Sequence, residues 1–236
     1  MCGRYSFVLG AGELRELTGS VPDPLPVPVY NQPPGGPVPV LVGPGEWSNL
    51  PWGWTLEVAG RRRFVLNARA ETAGEKRMFR GALSRSRCVV PASGFFEWQR
   101  SGDRSQPYYF LPRRDPGLLL GGLCVSAGGE GPRVVLLTRE ADEWMAAVHH
   151  RVPALVDPRR LAAWFDPSAE PGAVVADCCF PRPGEVLRAR PVSPRVNRVA
   201  ENDPDLLREV AVPAAPEAVE PAAQLSLFPP DPGGPS

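Results

Sequence analysis

A chain of 236 residues that is 43% hydrophobic can bury one substantial core. Its 26 basic residues balance its 26 acidic ones, which excludes a strongly charged protein as a whole. No apolar run reaches the ~18–20 residues needed to span a bilayer, and no basic segment followed by an apolar run marks a secretion signal, so a cytoplasmic protein with no membrane partner is expected.

The chain opens Met1-Cys2-Gly3-Arg4. Cysteine is small enough for the initiator methionine to be trimmed, and trimming leaves Cys2 with a free α-amine beside its thiol. Such a 1,2-aminothiol condenses with aldehydes: the amine forms an imine, and the thiol closes onto the same carbon to give a five-membered thiazolidine. An N-terminal amine titrates near ~7.7–8.0 and a free thiol near ~8.5, so both hold usable nucleophilic fractions at neutral pH. The other cysteines are Cys88, Cys124, Cys178 and Cys179. The five cysteines form no C-x-x-C pair, and their odd total argues against a closed disulfide framework. With His149 and His150 the only histidines, a zinc site would be short of ligands, and no metal or cofactor is expected. Lys76 is the only lysine, so any side-chain Schiff base is confined to it.

In chain order, helices are predicted over Ala11–Leu17, Met78–Ser84, Glu140–Val148 and Pro158–Phe165, the last opened by the Asp157-Pro158 capping signal. Apolar runs bounded by Gly/Pro turns predict strands at Val38–Val42, Arg63–Leu66, Cys88–Val90, Tyr108–Leu111, Leu118–Cys124 and Val134–Thr138. Strands outnumber helices without regular alternation. The expected class is α+β, with a mostly antiparallel sheet or barrel-like core and a few flanking helices.

From about residue 211 proline, alanine and glycine dominate. The expectation is one domain over residues 1–210 and a disordered tail over 211–236. Charge follows the same division: residues 1–200 hold 25 basic against 19 acidic residues, and residues 201–236 hold one arginine against seven acids. A basic body suits a polyanion-binding domain, and an ordinary solvated surface would look the same.

Three segments carry candidate chemistry. Asn67-Ala68-Arg69-Ala70-Glu71-Thr72 follows a strand, so Asn67 and Arg69 project to one side and suit a polar, anionic ligand; a bare strand end with a helix cap at Thr72 accounts for it equally. Glu97 lies inside the aromatic run Gly94-Phe95-Phe96-Glu97-Trp98. If it faces inward, its carboxyl is costly to ionise and becomes a proton shuttle; alternation also allows it to face out from an edge strand. His149-His150-Arg151-Val152-Pro153 ends a predicted helix and holds every imidazole available for acid–base work.

Taken together, eight short motifs between residue 2 and about residue 200 resemble the SOS-response-associated peptidase (SRAP) family: Cys2-Gly3-Arg4; Tyr30-Asn31 with Pro33; Trp52-Gly53; Asn67-Ala68-Arg69-x-Glu71-Thr72; Pro91-Ala92-x-Gly94-Phe95-x-Glu97-Trp98; Thr138-x-x-Ala141; His149-x-Arg151-x-Pro153; and Pro191-Val192-Ser193 with Val196-Asn197. The resemblance implies covalent capture of abasic sites in single-stranded DNA by a monomer at bacterial replication forks. Cys2 would form the thiazolidine, Glu97 would manage protons, His149 would assist sugar-ring opening and Asn67 would orient the terminus. Arg4, Arg69, Arg77 and Arg151 would take phosphates, with Trp98 and Ser193 also on the DNA. The family's Pro-x-Trp element after Trp-Gly is absent here, and Ser93 and Val152 stand where an acid and a methionine are common. A cysteine peptidase built on Cys2, His149 and Glu97, limited to self-removal of Met1 or otherwise, is the rival reading, and a non-covalent DNA-binding adaptor is a third. Separately, Gln224-Leu225-Ser226-Leu227-Phe228 resembles the Q-L-(S/D)-L-F peptide with which bacterial repair proteins bind the sliding clamp.

Overall fold

The structure is a computed structural model, described here for residues 2–58, 60–127 and 130–212. The expected tail from residue 213 onward, with its clamp-like peptide, lies outside the described residues.

Two antiparallel sheets carry the fold. The first runs Leu187–Pro191, Arg104–Pro112, Gly94–Ser101, Tyr5–Phe7, Val29–Gln32. The second runs Arg151–Pro153, Glu130–Glu140, Leu118–Ala127, Arg87–Ala92, Pro37–Gly43, Glu46–Pro51; Leu155–Val156 pairs with its Leu118–Ala127 strand and Asn67–Arg69 lies parallel to Glu130–Glu140. A separate two-stranded hairpin joins Trp54–Val58 to Arg61–Val65. The barrel-like alternative gives way to open sheets: among the described residues neither sheet closes on itself. The chain passes from the second sheet to the first at Ser93, between the Arg87–Ala92 and Gly94–Ser101 strands.

The main core is one continuous cluster that includes Trp52, Trp164, Tyr5, Phe7, Phe95 and Phe110. The first sheet is covered on its other face as well, where Phe96 and Tyr109 pack with Val192, Val196 and Leu206. This double coverage explains why two phenylalanines stand side by side at 95 and 96: successive strand residues point to opposite faces, and both faces are apolar. Gly94 permits the closeness of the pairing, since a Cβ there would lie 2.4 Å from the Phe110 carbonyl oxygen and 2.5 Å from the Tyr109 hydroxyl.

Helices are short. Ala11–Thr18 and Arg77–Arg85 match expectation, the latter burying Phe79 and Leu83. Pro158–Arg160 is a 3-10 turn that leads into Leu161–Phe165, with the Asp157 carboxylate accepting from the Arg159 amide at 2.9 Å. Thr72 sits inside the helical turn Ala70–Ala73 rather than capping it. The helix expected over Glu140–Val148 shrinks to Glu143–Ala146, because Glu140 still belongs to a strand and Asp142 caps the Met145 amide. Among the described residues no helix is long and apolar enough to cross a membrane.

Candidate functional site

The start of the chain is an interior strand. Tyr5 pairs with Phe95 and Ser6 with Gly94, and the Phe96 amide donates to the Arg4 carbonyl at 2.9 Å. Continuing that antiparallel register sets Gly3 beside Glu97. Cys2 is fully buried. Asn67, at the start of the parallel strand, donates from Nδ2 to the Cys2 carbonyl at 2.9 Å. Burial pushes the Cys2 thiol well above the ordinary thiol range, and the negative charge of Glu97 adds to the effect.

Glu97 faces inward. It shares a strand face with Phe95 and is only 2% exposed, so the outward orientation that alternation allowed is not adopted. Desolvation raises its carboxyl to about 7. Near neutral pH the group is therefore divided between acid and carboxylate, the condition for moving protons in both directions.

His149 is oriented by backbone. His149 Nδ1 lies within hydrogen-bond reach of both the Arg151 amide, at 3.0 Å, and the Arg151 carbonyl oxygen, at 3.1 Å, so the backbone of one residue fixes the ring. Burial holds His149 below the ordinary histidine range, favouring the neutral form. The His150 ring stacks on it at 4.5 Å between centroids. Arg151 is buried, and its guanidinium forks onto Glu71 at 2.9 and 2.7 Å and donates to the Thr138 carbonyl at 2.6 Å. Glu71 also accepts from the Glu140 amide at 2.9 Å. Two of the Arg151 guanidinium nitrogens are thus engaged inside the protein, which ties down the segment that carries His149.

Glu97, His149 and Arg151 meet at a cleft of about 700 Å³ whose walls also include Arg69, Trp98 and Arg100; Cys2 and Asn67 are not among its lining residues. Arg69 is exposed on its rim. Trp98 is half-buried, its indole donating to Asn197 Oδ1 at 2.7 Å. Arg4 is half-buried too, with Nη1 donating to Asn31 Oδ1 at 2.8 Å and the Val196 carbonyl at 2.9 Å. Arg77 and Ser193 lie outside the cleft walls: Arg77 is exposed at the first position of its helix, and the Ser193 hydroxyl accepts from the Arg195 amide. A second cleft of about 530 Å³, lined by Arg113, Arg114 and Glu185 among others, contains none of the site residues. Among the described residues no group of three or more His, Cys, Asp or Glu side chains is arranged to hold a metal.

Sequence reasoning gave Glu71 no role although it lay inside a quoted motif, and it passed over Arg100. Glu71 carried a signal, since an acid following Asn67 and Arg69 is available to pair with an arginine elsewhere; Arg100 carried none.

The model for the SOS response associated peptidase family matches residues 1–199. The chain belongs to the SRAP family. Among its relatives, the abasic site processing protein YedK of Escherichia coli is 27% identical over 89% of this chain and all of that protein. The abasic site processing protein HMCES of Gallus gallus is 28% identical, covering 88% of this chain and 77% of its own length. A solved protein structure from Bacteroides thetaiotaomicron superposes with a TM-score of 0.75 over 89% of this chain and all of its own, at 23% identity, and shares the SRAP fold seen here.

Glu97 also leaves a thermodynamic mark. A carboxyl raised from 4.5 to about 7 in the fold binds its proton more tightly folded than unfolded, so its contribution to stability is fully present below pH 4.5 and is lost as pH rises toward 7. Glu97→Gln removes that loss. We expect the two proteins to unfold alike near pH 4, and the variant to be more stable at pH 8 by up to about 3 kcal/mol in denaturant titrations; curves that stay parallel across this range would show that Glu97 is not desolvated as described.

Proposed function

We propose that this SRAP protein captures abasic sites in single-stranded DNA covalently, through a thiazolidine between the sugar and Cys2 after removal of Met1. The observation that carries the reading is the strand register that lays the first residues of the chain against Glu97, with Asn67 fastened to the Cys2 carbonyl. The names of its relatives, abasic site processing proteins, supply the substrate class.

The steps follow from the chemistry of the groups. A ring-opened abasic sugar presents an aldehyde at C1′. The Cys2 amine adds to it, and the carbinolamine loses its hydroxyl as water to give an imine. The thiol sulfur then bonds to C1′ while its proton passes to nitrogen. One water leaves, and nothing is oxidised or reduced. A thiol held in its protonated form by burial needs a base at this moment, and a carboxyl titrating near 7 can take the proton and return it. His149, which burial keeps toward its neutral form, is suited to assist the sugar ring oxygen as the ring opens. Arg69 on the cleft rim takes an adjacent phosphate, and Trp98 offers an aromatic face for a base or sugar.

The peptidase reading fares worse on the same residues. A cysteine peptidase works through an ionised thiolate, produced by a lowered thiol pKa, whereas burial drives Cys2 the other way. A peptidase also has no use for the terminal amine.

On single-stranded DNA bearing one abasic site, the parent protein is expected to give a heat-stable adduct on denaturing gels without borohydride, and Cys2→Ala to give none; an equal yield from Cys2→Ala would end the proposal. We propose further that Gln224, Leu225, Leu227 and Phe228 bind the bacterial sliding clamp, the glutamine as an amide anchor and the apolar pair filling a cleft. Replacing Leu227 and Phe228 by alanine should abolish clamp binding measured by surface plasmon resonance, and undiminished binding would remove the claim.

A further inference from the structure

The hairpin of Trp54–Val58 and Arg61–Val65 stands apart from both main sheets. Its feet are fastened next to the site. The Gly53 amide donates to the Val134 carbonyl at 2.8 Å, the Trp52 indole donates to the Leu66 carbonyl at 3.1 Å, and the Leu136 amide donates to the same carbonyl at 3.0 Å. The residue after Leu66 is Asn67, which holds the Cys2 carbonyl. At ~3.3 Å per strand residue, Arg61 lies within ~20 Å of Asn67 along the chain.

Its outer strand is unlike an ordinary solvated edge. Arg61, Arg62, Arg63 and Phe64 are all exposed, and none of the three arginines makes an ion pair with a described residue. Glu57, opposite Arg62, is the only acid in the two strands. Phe64 is 49% exposed, with its ring lying over Gly53. Gly53 has φ +100, and a Cβ there would come within 2.3 Å of the Phe64 ring, so the seat of the ring depends on glycine at that position. Charges on an edge strand guard against unwanted pairing, which accounts for the arginines but not for a large aromatic ring left half bare beside them. Guanidinium groups that fork onto phosphates and an aromatic face that stacks a base are together the equipment of a single-strand binding surface.

We infer that this hairpin holds the single-stranded DNA next to the captured sugar, with Phe64 stacking a base and Arg61 and Arg63 neutralising phosphates. This rests on the DNA reading above, but not on its covalent chemistry. Phosphate contacts report themselves in salt dependence: each one neutralised on single strands contributes about −0.7 to the slope of log K against log salt.

The test measures anisotropy of a labelled homothymidine oligonucleotide, without an abasic site, at several salt concentrations. The proteins are the parent, Arg61→Ser with Arg63→Ser, Phe64→Ala, and Arg113→Ser with Arg114→Ser as a matched charge change away from the hairpin. The hairpin pair is expected to bind roughly tenfold more weakly with a slope shallower by about 1.4. Phe64→Ala is expected to bind several-fold more weakly with the slope unchanged, and the matched pair to keep the parent slope. Affinity and slope equal to the parent's in the hairpin pair, or the same change in the matched pair, would overturn the inference. An abasic oligonucleotide separates the two claims: a parent protein that binds DNA but forms no adduct would count against the covalent chemistry alone.

Discussion

The arrangement depends on one constraint: the first residues of the chain are held as an interior strand. Chain ends are usually the least fixed part of a domain. Here Tyr5 and Ser6 are paired in a sheet buried on both faces, the Arg4 carbonyl accepts from Phe96, and the Cys2 carbonyl accepts from Asn67. Each contact removes freedom that a terminal amine and thiol would otherwise have to lose on meeting a substrate, so much of the ordering entropy is met when the protein folds. The same pairing sets Gly3 opposite Glu97, so the terminal groups and the carboxyl arrive in one place through backbone register.

Burial then decides how these groups hold protons. It raises the Cys2 thiol and the Glu97 carboxyl, and it keeps His149 in the neutral range. All three shifts favour the uncharged form, the common effect of removing charge from water. One charged pair stands beside them, Arg151 with Glu71, joined through two guanidinium–carboxylate bonds, with Arg151 also donating to the Thr138 carbonyl. An arginine so occupied stiffens the strand that presents His149, while the exposed Arg69 stays available at the rim. Two arginines from similar short motifs thus sit differently, Arg151 buried and paired and Arg69 exposed.

Much of this was legible in the sequence. The Gly/Pro-bounded apolar runs located the central strands, because a strand buried on one or both faces must be rich in apolar residues whatever its partners. The motif series brought out Cys2, Asn67, Glu97 and His149, and the fold gathers Cys2 with Asn67 and sets Glu97 and His149 in one cleft. The segment alone could not orient Glu97, since the second apolar cluster that covers Phe96 is assembled from residues almost a hundred positions later. The helix before His149 was overestimated because Glu140 is captured by strand pairing, a tertiary choice that local periodicity does not report. The pairing of Arg151 with Glu71 was illegible for a similar reason: the two lie eighty residues apart in sequence.

The central claim is that the reactive group is the aminothiol of a terminal Cys2. Intact mass spectrometry of the purified protein, before and after reaction with an oligonucleotide carrying one abasic site, tests it most directly. The expected result is a protein lacking Met1 and an adduct weighing the sum of that protein and DNA less one water. An adduct formed by protein that retains Met1, or one that keeps the full summed mass, would contradict it.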